Sequence, residues 1–289
     1  MSSEPDYLRE APDDLHPALV GAVWRGGPVG ETEVAATLMD LADRGIVTME
    51  RIEMQVTSAL GPAKLQPTTQ WRLDRSRAGG LGAIDAALVA LLFDRIARDE
   101  TLTAEELAWQ ARERPAEYRR ALLEWIALVD SEACTAGLLR PSPAASKGLL
   151  RVAGTAIALA GLSLAVALES WVPAEAGLVL GGLVGALSFR VSRLTAEGKA
   201  VRARYQGLHD FLRDFSDLEH VTPEHFALWR RYLVLALVLG VAQRVADHFD
   251  MARPGLARDP RFTSLVEWVR DTAGGDAPVR AFESTRPSA

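Results

Sequence analysis

Two apolar stretches decide the fold of this chain: residues 149–168 read LLRVAGTAIALAGLSLAVAL, and residues 176–189 read AGLVLGGLVGALSF. Residues 152–168 contain no charged side chain, and a helix of about 20 residues crosses a hydrocarbon core of about 30 Å. The second stretch is shorter, so it must tilt little or borrow residues from the loop. Gly177, Gly181 and Gly185 recur every fourth residue, which allows close helix packing. We therefore predict a two-helix transmembrane hairpin at residues 148–190.

Charges around the two stretches predict the orientation of the hairpin. The loop between them carries only Glu169 and Glu175 as charged residues, whereas cations flank the outer ends. These cations are Lys147, Arg151, Arg190, Arg193, Lys199, Arg202 and Arg204. Since basic flanks stay on the cytoplasmic side, we expect a bacterial inner-membrane protein with both termini in the cytoplasm. We interpret the cations mainly as a topology signal that also attracts anionic lipid headgroups. The alternative is a hairpin buried in a soluble core.

The segment before the hairpin predicts two small helical units. Residues 1–75 should form a winged-helix-like unit, with helices at 17–24 and 31–44. Asp13 or Asp14 is available near the N-terminus of the first helix, and Gly45 ends the second. Residues 46–52 and 68–73 alternate as strands around a loop at residues 61–62, which predicts a β-hairpin.

Residues 83–140 loosely repeat this outline as a second winged-helix-like unit. Helices are expected at 83–98, after Thr103 as N-cap, and from Pro115 to Gly137. The wing of this unit would be only a stub at residues 138–139.

The segment after the hairpin, residues 191–271, is predicted to be a cytoplasmic helical segment. Its apolar stretch at 232–243 is too short to span a bilayer, so we expect a buried or interfacial helix within residues 224–249. Residues 272–289 are rich in Gly, Ala, Pro and Ser and predict a disordered tail.

Composition narrows the function classes without choosing one. The net charge is −6, which argues against broad nucleic-acid binding because such binding needs a surplus of positive charge. Cys134 is the only cysteine, so no intrachain disulfide can form and a reducing compartment fits. The first residues lack the basic and apolar regions of a signal peptide.

The predicted winged helix raises DNA binding as a hypothesis. Its recognition helix would be residues 31–44, where Glu31, Glu33, Asp40 and Asp43 oppose the single cation Arg44. An acidic face repels phosphates, so nucleic acid is an unlikely partner there. A different surface around Arg72, Arg75 and Arg77 stays open as an alternative.

A histidine-containing stretch is the metal candidate. It comprises His209, Asp210, Asp214, Asp217, His220, Glu224 and His225. A predicted helix break separates the last two histidines and no His-Glu-x-x-His pattern occurs, so we predict no metal site. Ser163 lies in a nucleophile-like Gly-Leu-Ser-Leu-Ala sequence, but a membrane helix lacks the strand–turn–helix context of a nucleophile elbow. No catalytic residue or cofactor is predicted.

Several short motifs carry a family resemblance. Residues 11–21 (APDDLHPALVG), 36–47 (ATLMDLADRGIV), 194–198 (LTAEG), 207–212 (GLHDFL) and 232–240 (YLVLALVLG) occur in a specific order. Residues 5–250 thereby resemble the cytoplasmic part of the YciQ-like predicted membrane proteins of bacteria. Those proteins usually begin with a signal sequence, an extracytoplasmic β-rich domain and a first membrane helix. The resemblance implies an architecture and no reaction, with this chain as a stand-alone or truncated cytoplasmic-plus-hairpin module.

The sequence as a whole predicts a mainly α protein of winged-helix-like cytoplasmic units, a transmembrane hairpin and a C-terminal helical segment. The leading functional hypothesis is a non-enzymatic membrane-anchored scaffold or adaptor that contacts an unknown protein partner at the cytoplasmic face. The alternatives are a membrane-tethered nucleic-acid-binding regulator and a metal-dependent membrane enzyme using His209, His220 and His225.

Overall fold

A computed structural model describes residues 13–56, 64–97, 99–141, 155–156, 159, 193–213 and 226–246. It is mainly helical, with one antiparallel three-stranded sheet. Almost all of the predicted hairpin at 148–190, and all of the predicted tail at 272–289, lie outside the described residues. Within the described ranges, no helix combines the length and the apolar character needed to cross a bilayer.

Helices α1 (Pro17–Arg25) and α2 (Glu31–Asp43) lie close to the predicted positions. Gly26 and Gly45 follow their ends with φ of 65° and 69°, a conformation that favours glycine as a helix terminator. The N-cap of α1 is His16 and neither of the two aspartates near the helix start, because Nδ1 of His16 lies next to the first turn and accepts a hydrogen bond from the backbone of Ala18 at 3.1 Å.

Strands β1 (Val47–Val56) and β2 (Lys64–Leu73) form the predicted antiparallel hairpin, in which Val47 pairs with Leu73. A third strand, β3 (Thr101–Thr103), pairs with residues 70–72 of β2 and was not predicted. A strand from the second predicted unit thus completes the sheet of the first. The winged-helix interpretation of either unit stays a prediction.

Between β2 and β3 the chain forms helix α3 (Ala83–Val89), which continues as π-helical turns from Ala90 to Ile96. Helix α4 (Ala104–Glu113) then begins at Thr103, whose hydroxyl accepts a hydrogen bond from the backbone of Glu106 at 3.2 Å, as predicted. Helix α5 (Pro115–Thr135) begins at the predicted proline. Its Trp125 is buried and donates a hydrogen bond to the carbonyl of Ile84 at 3.1 Å.

The core is completed by helices α6 (Ala196–Arg213) and α7 (Phe226–Leu239), which follow the apolar segment in sequence. Residues 33–41 of α2 are all buried, since α1, α3, β1 and α7 surround this helix. Residues 232–239 of α7 are buried as well, so of the two predicted alternatives, a buried or an interfacial helix, the structure shows the buried one. The predicted extent to residue 249 is wrong because Gly240, with φ of 79°, ends α7.

Candidate functional site

The two segments that flank the apolar stretch, one before it and one after it, lie side by side. The backbone N–H of Arg140 donates to the carbonyl of Arg193 at 2.7 Å, and Leu139 forms an antiparallel bridge with Leu194. The N–H of Thr195 donates to the carbonyl of Leu138 at 3.2 Å. We call these paired residues, 138–140 and 193–195, the hairpin base.

A buried ion pair fixes the hairpin base to helix α5. The side chain of Arg193 is only 4% exposed, and its guanidinium binds both carboxylate oxygens of Asp130, at 2.6 and 2.9 Å. The same guanidinium donates to the carbonyl of Arg140 at 2.9 and 3.1 Å. The hydrogen bonds that Arg193 donates to Asp130 raise the pKa of Arg193, so the arginine stays charged. Bidentate arginine–carboxylate pairs fix geometry as well as charge.

Helix α6 starts on the same base. The hydroxyl of Thr195 donates to the carbonyl of Gly137 at 2.6 Å and accepts from the N–H of Gly198 at 2.9 Å. A Cβ atom at Gly198 would collide with the carbonyl oxygen of Leu138. Helices α5 and α6 are therefore held together at the two ends of the apolar segment.

The cations after the apolar segment are less available to bind lipid headgroups than the sequence suggests. Arg193 is buried, so its predicted attraction to lipid headgroups is wrong. Arg202 lies over the ring of Trp24, with 5.7 Å from its guanidinium carbon to the ring centroid. Arg204 lies 3.7 Å from the carboxylate of Asp13, whereas Lys199 is exposed. Arg190, like the cations before the apolar segment, lies outside the described residues.

The acidic residues of α2 do not form the exposed face that the sequence predicts. Glu33 is fully buried and lies 2.9 Å from Arg25, and its other oxygen accepts from the N–H of Gly30 at 2.7 Å. Burial raises the pKa of Glu33 despite the nearby arginine. Because α2 is buried from residue 33 to 41, this helix cannot enter a DNA groove. Binding through α2 is excluded by burial and not by charge repulsion.

Arginines of α7 pair with the acids near the end of α2. Asp40 lies 3.4 Å from Arg231 and 3.0 Å from Arg44, and Asp43 lies 2.5 Å from Arg230. Burial raises the pKa values of both aspartates. These pairs join the segment before the apolar stretch to the segment after it.

A second polar cluster joins α1, α2 and α3 through Asp85. His16 Nε2 and Arg44 contact its two oxygens at 2.9 and 2.6 Å. Since Nδ1 of His16 accepts a backbone hydrogen bond, a neutral ring carries its proton on Nε2 and donates it to Asp85. Burial opposes ionisation of Asp85, but the hydrogen bonds from His16 and Arg44 lower its pKa. The cluster has the chemistry of a structural joint between helices.

The histidine-containing stretch is described only in part. The ring of His209 packs against that of Trp24 with a centroid distance of 5.1 Å, and its Nδ1 lies 2.9 Å from the carboxylate of Asp210. Within the described ranges, no group of His, Cys, Asp and Glu side chains is arranged to hold a metal ion. His220 and His225 lie outside those ranges.

The arginines suggested for nucleic-acid contact already have acidic neighbours. Arg75 lies 2.9 Å from Asp94, and Arg77 lies 3.6 Å from Asp74. Arg72 is exposed on β2. Two of the three charges are therefore partly neutralised within the protein.

Sequence reasoning missed the hairpin base, because its bidentate pair joins residues separated by 63 positions.

The sequence model of one protein family, described as "predicted membrane protein (DUF2207) C-terminal domain", matches residues 4–249. The chain belongs to this family. The match extends over both sides of the hairpin base, and it confirms the expected membrane-protein family while leaving the narrower YciQ-like resemblance a prediction. No curated protein and no solved structure matches the chain significantly.

Proposed function

We propose that the chain is a non-enzymatic adaptor, held at the bacterial inner membrane by the segment 148–190 and acting through cytoplasmic protein contacts. The observation that carries this proposal is the hairpin base. Its two paired segments, 138–140 and 193–195, lie on either side of the apolar segment and are joined by a backbone hydrogen bond of 2.7 Å between Arg140 and Arg193.

Adjacent ends restrict how the apolar segment can meet a bilayer. An odd number of crossings would place its ends on opposite faces, about 30 Å apart across the hydrocarbon core. Two hydrogen-bonded ends must lie on the same face, so the number of crossings is even. The two uncharged runs at 152–168 and 176–189 supply two crossings. The flanking cations then assign that shared face to the cytoplasm.

The described polar clusters support a binding role over a chemical one. The buried carboxylates of Glu33, Asp40 and Asp85 each contact an arginine of another helix or turn, and these contacts connect helices. Large apolar side chains are exposed elsewhere on the body, with Trp109 of α4 at 53% and Leu123 of α5 at 56%. Exposed aromatic residues are enriched at protein–protein interfaces.

The membrane part of the proposal is tested by cysteine labelling in cells. Cys134 is first replaced by serine, and single cysteines are then introduced by Ser170→Cys or Ser284→Cys. An impermeant maleimide should label position 170 from outside and position 284 only after the cells are opened. Loss of the chain from membranes on a carbonate wash, or labelling of both positions from one side, would refute the topology.

The adaptor part is tested separately by affinity purification from gently solubilised membranes. Proteins retained by the wild-type chain should be depleted from a Trp109→Ala variant and kept by Arg112→Ala, a matched change at an exposed residue of the same helix. An interface aromatic often contributes about 2 kcal/mol or more, which corresponds to roughly 30-fold in affinity. Recovery of the same background proteins by all three chains would count against an adaptor that uses this surface.

A further inference from the structure

A cleft outside the hairpin base lies where the π-helical turns after α3 meet α4 and α5. Its volume is about 410 Å³, within the range of ligand pockets in proteins. Apolar side chains and cations both line it. The apolar ones are Ile96, Tyr118 and Ala121, and the cations are Arg95, Arg114 and Arg120.

The cations reach the cleft from different elements of the fold. Arg95 comes from the π-helical turns, Arg114 from the junction between α4 and α5, and Arg120 from the second turn of α5. The N–H of Ala97 donates to the carbonyl of Leu92 at 2.9 Å, a π-type bond that positions the end of this segment. π-Helical turns are rare in proteins, and those that occur are often found at functional sites.

A carboxylate of the protein occupies the point where two of these arginines converge. One oxygen of Glu124 accepts from Arg95 at 2.7 Å, and the other accepts from Arg120 at 3.3 Å. These hydrogen bonds lower the pKa of Glu124, with that from Arg95 as the largest cause. Because all three side chains are at least 48% exposed, the pairs contribute little to stability. A ligand oxyanion can therefore displace Glu124 without disrupting the fold.

We propose that this cleft binds a small organic oxyanion, with its carboxylate or phosphate group between Arg95 and Arg120 in the position that Glu124 occupies. Planar guanidinium groups bind both kinds of oxyanion in a bidentate manner. The apolar body of the ligand would lie against Tyr118, whose residue is only 4% exposed. The lining contains three arginines and two acids, Glu117 and Glu124, so its net charge is +1. When an anion displaces Glu124, the guanidinium groups of Arg95 and Arg120 face the ligand without that competing carboxylate. This ligand site is independent of the adaptor proposal.

Calorimetric titration of the full chain in detergent micelles tests the site with phenyl phosphate and phenylacetate as probes. We expect at least one probe to bind, and the tighter of the two identifies the preferred oxyanion. Arg95→Gln and Arg120→Gln should each weaken binding about tenfold, as loss of one charge-assisted hydrogen bond implies. Glu124→Gln should tighten binding about threefold or more, because it removes the internal competitor while keeping the side-chain shape.

Arg119→Gln is the matched control, since Arg119 is an exposed residue of the same helix that does not line the cleft. It should leave the affinity within about twofold of wild type. Inorganic phosphate and benzyl alcohol, which carry only the anion or only the aromatic body, should bind more weakly than phenyl phosphate. Equal loss of affinity in Arg119→Gln and Arg95→Gln would overturn the proposal, as would an unchanged affinity in Glu124→Gln. Absence of saturable heat for both probes in wild type and in Glu124→Gln would overturn it as well.

Discussion

Replacement of Asp130 by alanine tests how strongly the hairpin base is fixed to the body. In the Asp130→Ala variant, Arg193 loses both hydrogen bonds to a carboxylate and keeps those to the carbonyl of Arg140. The guanidinium, only 4% exposed, is then left without a counterion. Breaking a buried ion pair by removing one partner typically costs about 3–5 kcal/mol.

Two features of the structure make the expected cost of breaking the Asp130–Arg193 pair smaller than this typical value. Asp130 is 25% exposed, so water can reach the space left by the carboxylate, and the remaining bonds to Arg140 still satisfy part of the guanidinium. We therefore expect a loss of about 2 kcal/mol in the free energy of unfolding. For a folded body of this size the melting temperature should fall by about 4–8 °C.

Thermal unfolding of the full chain in micelles measures this loss, with Glu132→Ala on the same helix as the control. Hydrogen exchange provides an independent readout, because the backbone N–H groups of Arg140 and Thr195 pair across the hairpin base. They should exchange faster in Asp130→Ala and at the wild-type rate in the control. If both variants melt at the wild-type temperature, or if exchange at the base is unchanged, the ion pair does not secure the two ends and the reasoning fails.

Three further predictions concern the body. Gly198→Ala forces a Cβ atom against a backbone carbonyl and should destabilise by about 1–3 kcal/mol in thermal unfolding, whereas Gly79→Ala, with no atom within 4 Å, should not. Burial raises the folded-state pKa of Glu33 above its ordinary 4.5, so its favourable contribution is complete below that pH and is lost as pH rises through the raised pKa. Glu33→Gln should remove this part of the pH dependence of the unfolding free energy. Urea unfolding of wild type and Glu33→Gln across this pH window measures it, and identical profiles for the two proteins would contradict the prediction. Trp125→Phe leaves a buried carbonyl without its indole donor and should cost about 1–3 kcal/mol, a value that a urea midpoint close to wild type would contradict.

Elements with strong local signals were predictable from the sequence. Pro17 and Pro115 mark helix starts, while Gly26 and Gly45 mark helix ends, and the structure places α1, α2 and α5 accordingly. Alternation at residues 46–52 likewise located β1. Backbone restrictions act within a few residues, so a single sequence displays them.

Features that depend on distant partners were not predictable. The three residues of β3 carry too short a pattern, and their strand exists because β2 offers a free edge beside them. The acids of α2 appeared solvated because the arginines that neutralise Asp40 and Asp43 come from α7, about 190 residues later. The same holds for the candidate site: the cations of residues 190–204 were visible, but burial of Arg193 on Asp130 was not. Charge pattern gives the sign of a surface only when no remote side chain covers it.

The contacts of the first helices with α6 and α7 can form only late in the synthesis of the chain. Tyr205 donates a hydrogen bond to Asp13 at 2.6 Å, across 192 positions of sequence, and α7 covers α2 from still farther along the chain. At a synthesis rate of about 5–20 residues per second, the ribosome takes roughly 10–40 s to add the intervening residues. During that interval α1 and α2 have been made while their covering helices have not, and the whole apolar segment is synthesised in between. If residues 148–190 insert into a membrane during synthesis, as we propose, insertion precedes completion of the core, and a delay in insertion should leave the N-terminal helices open to proteases.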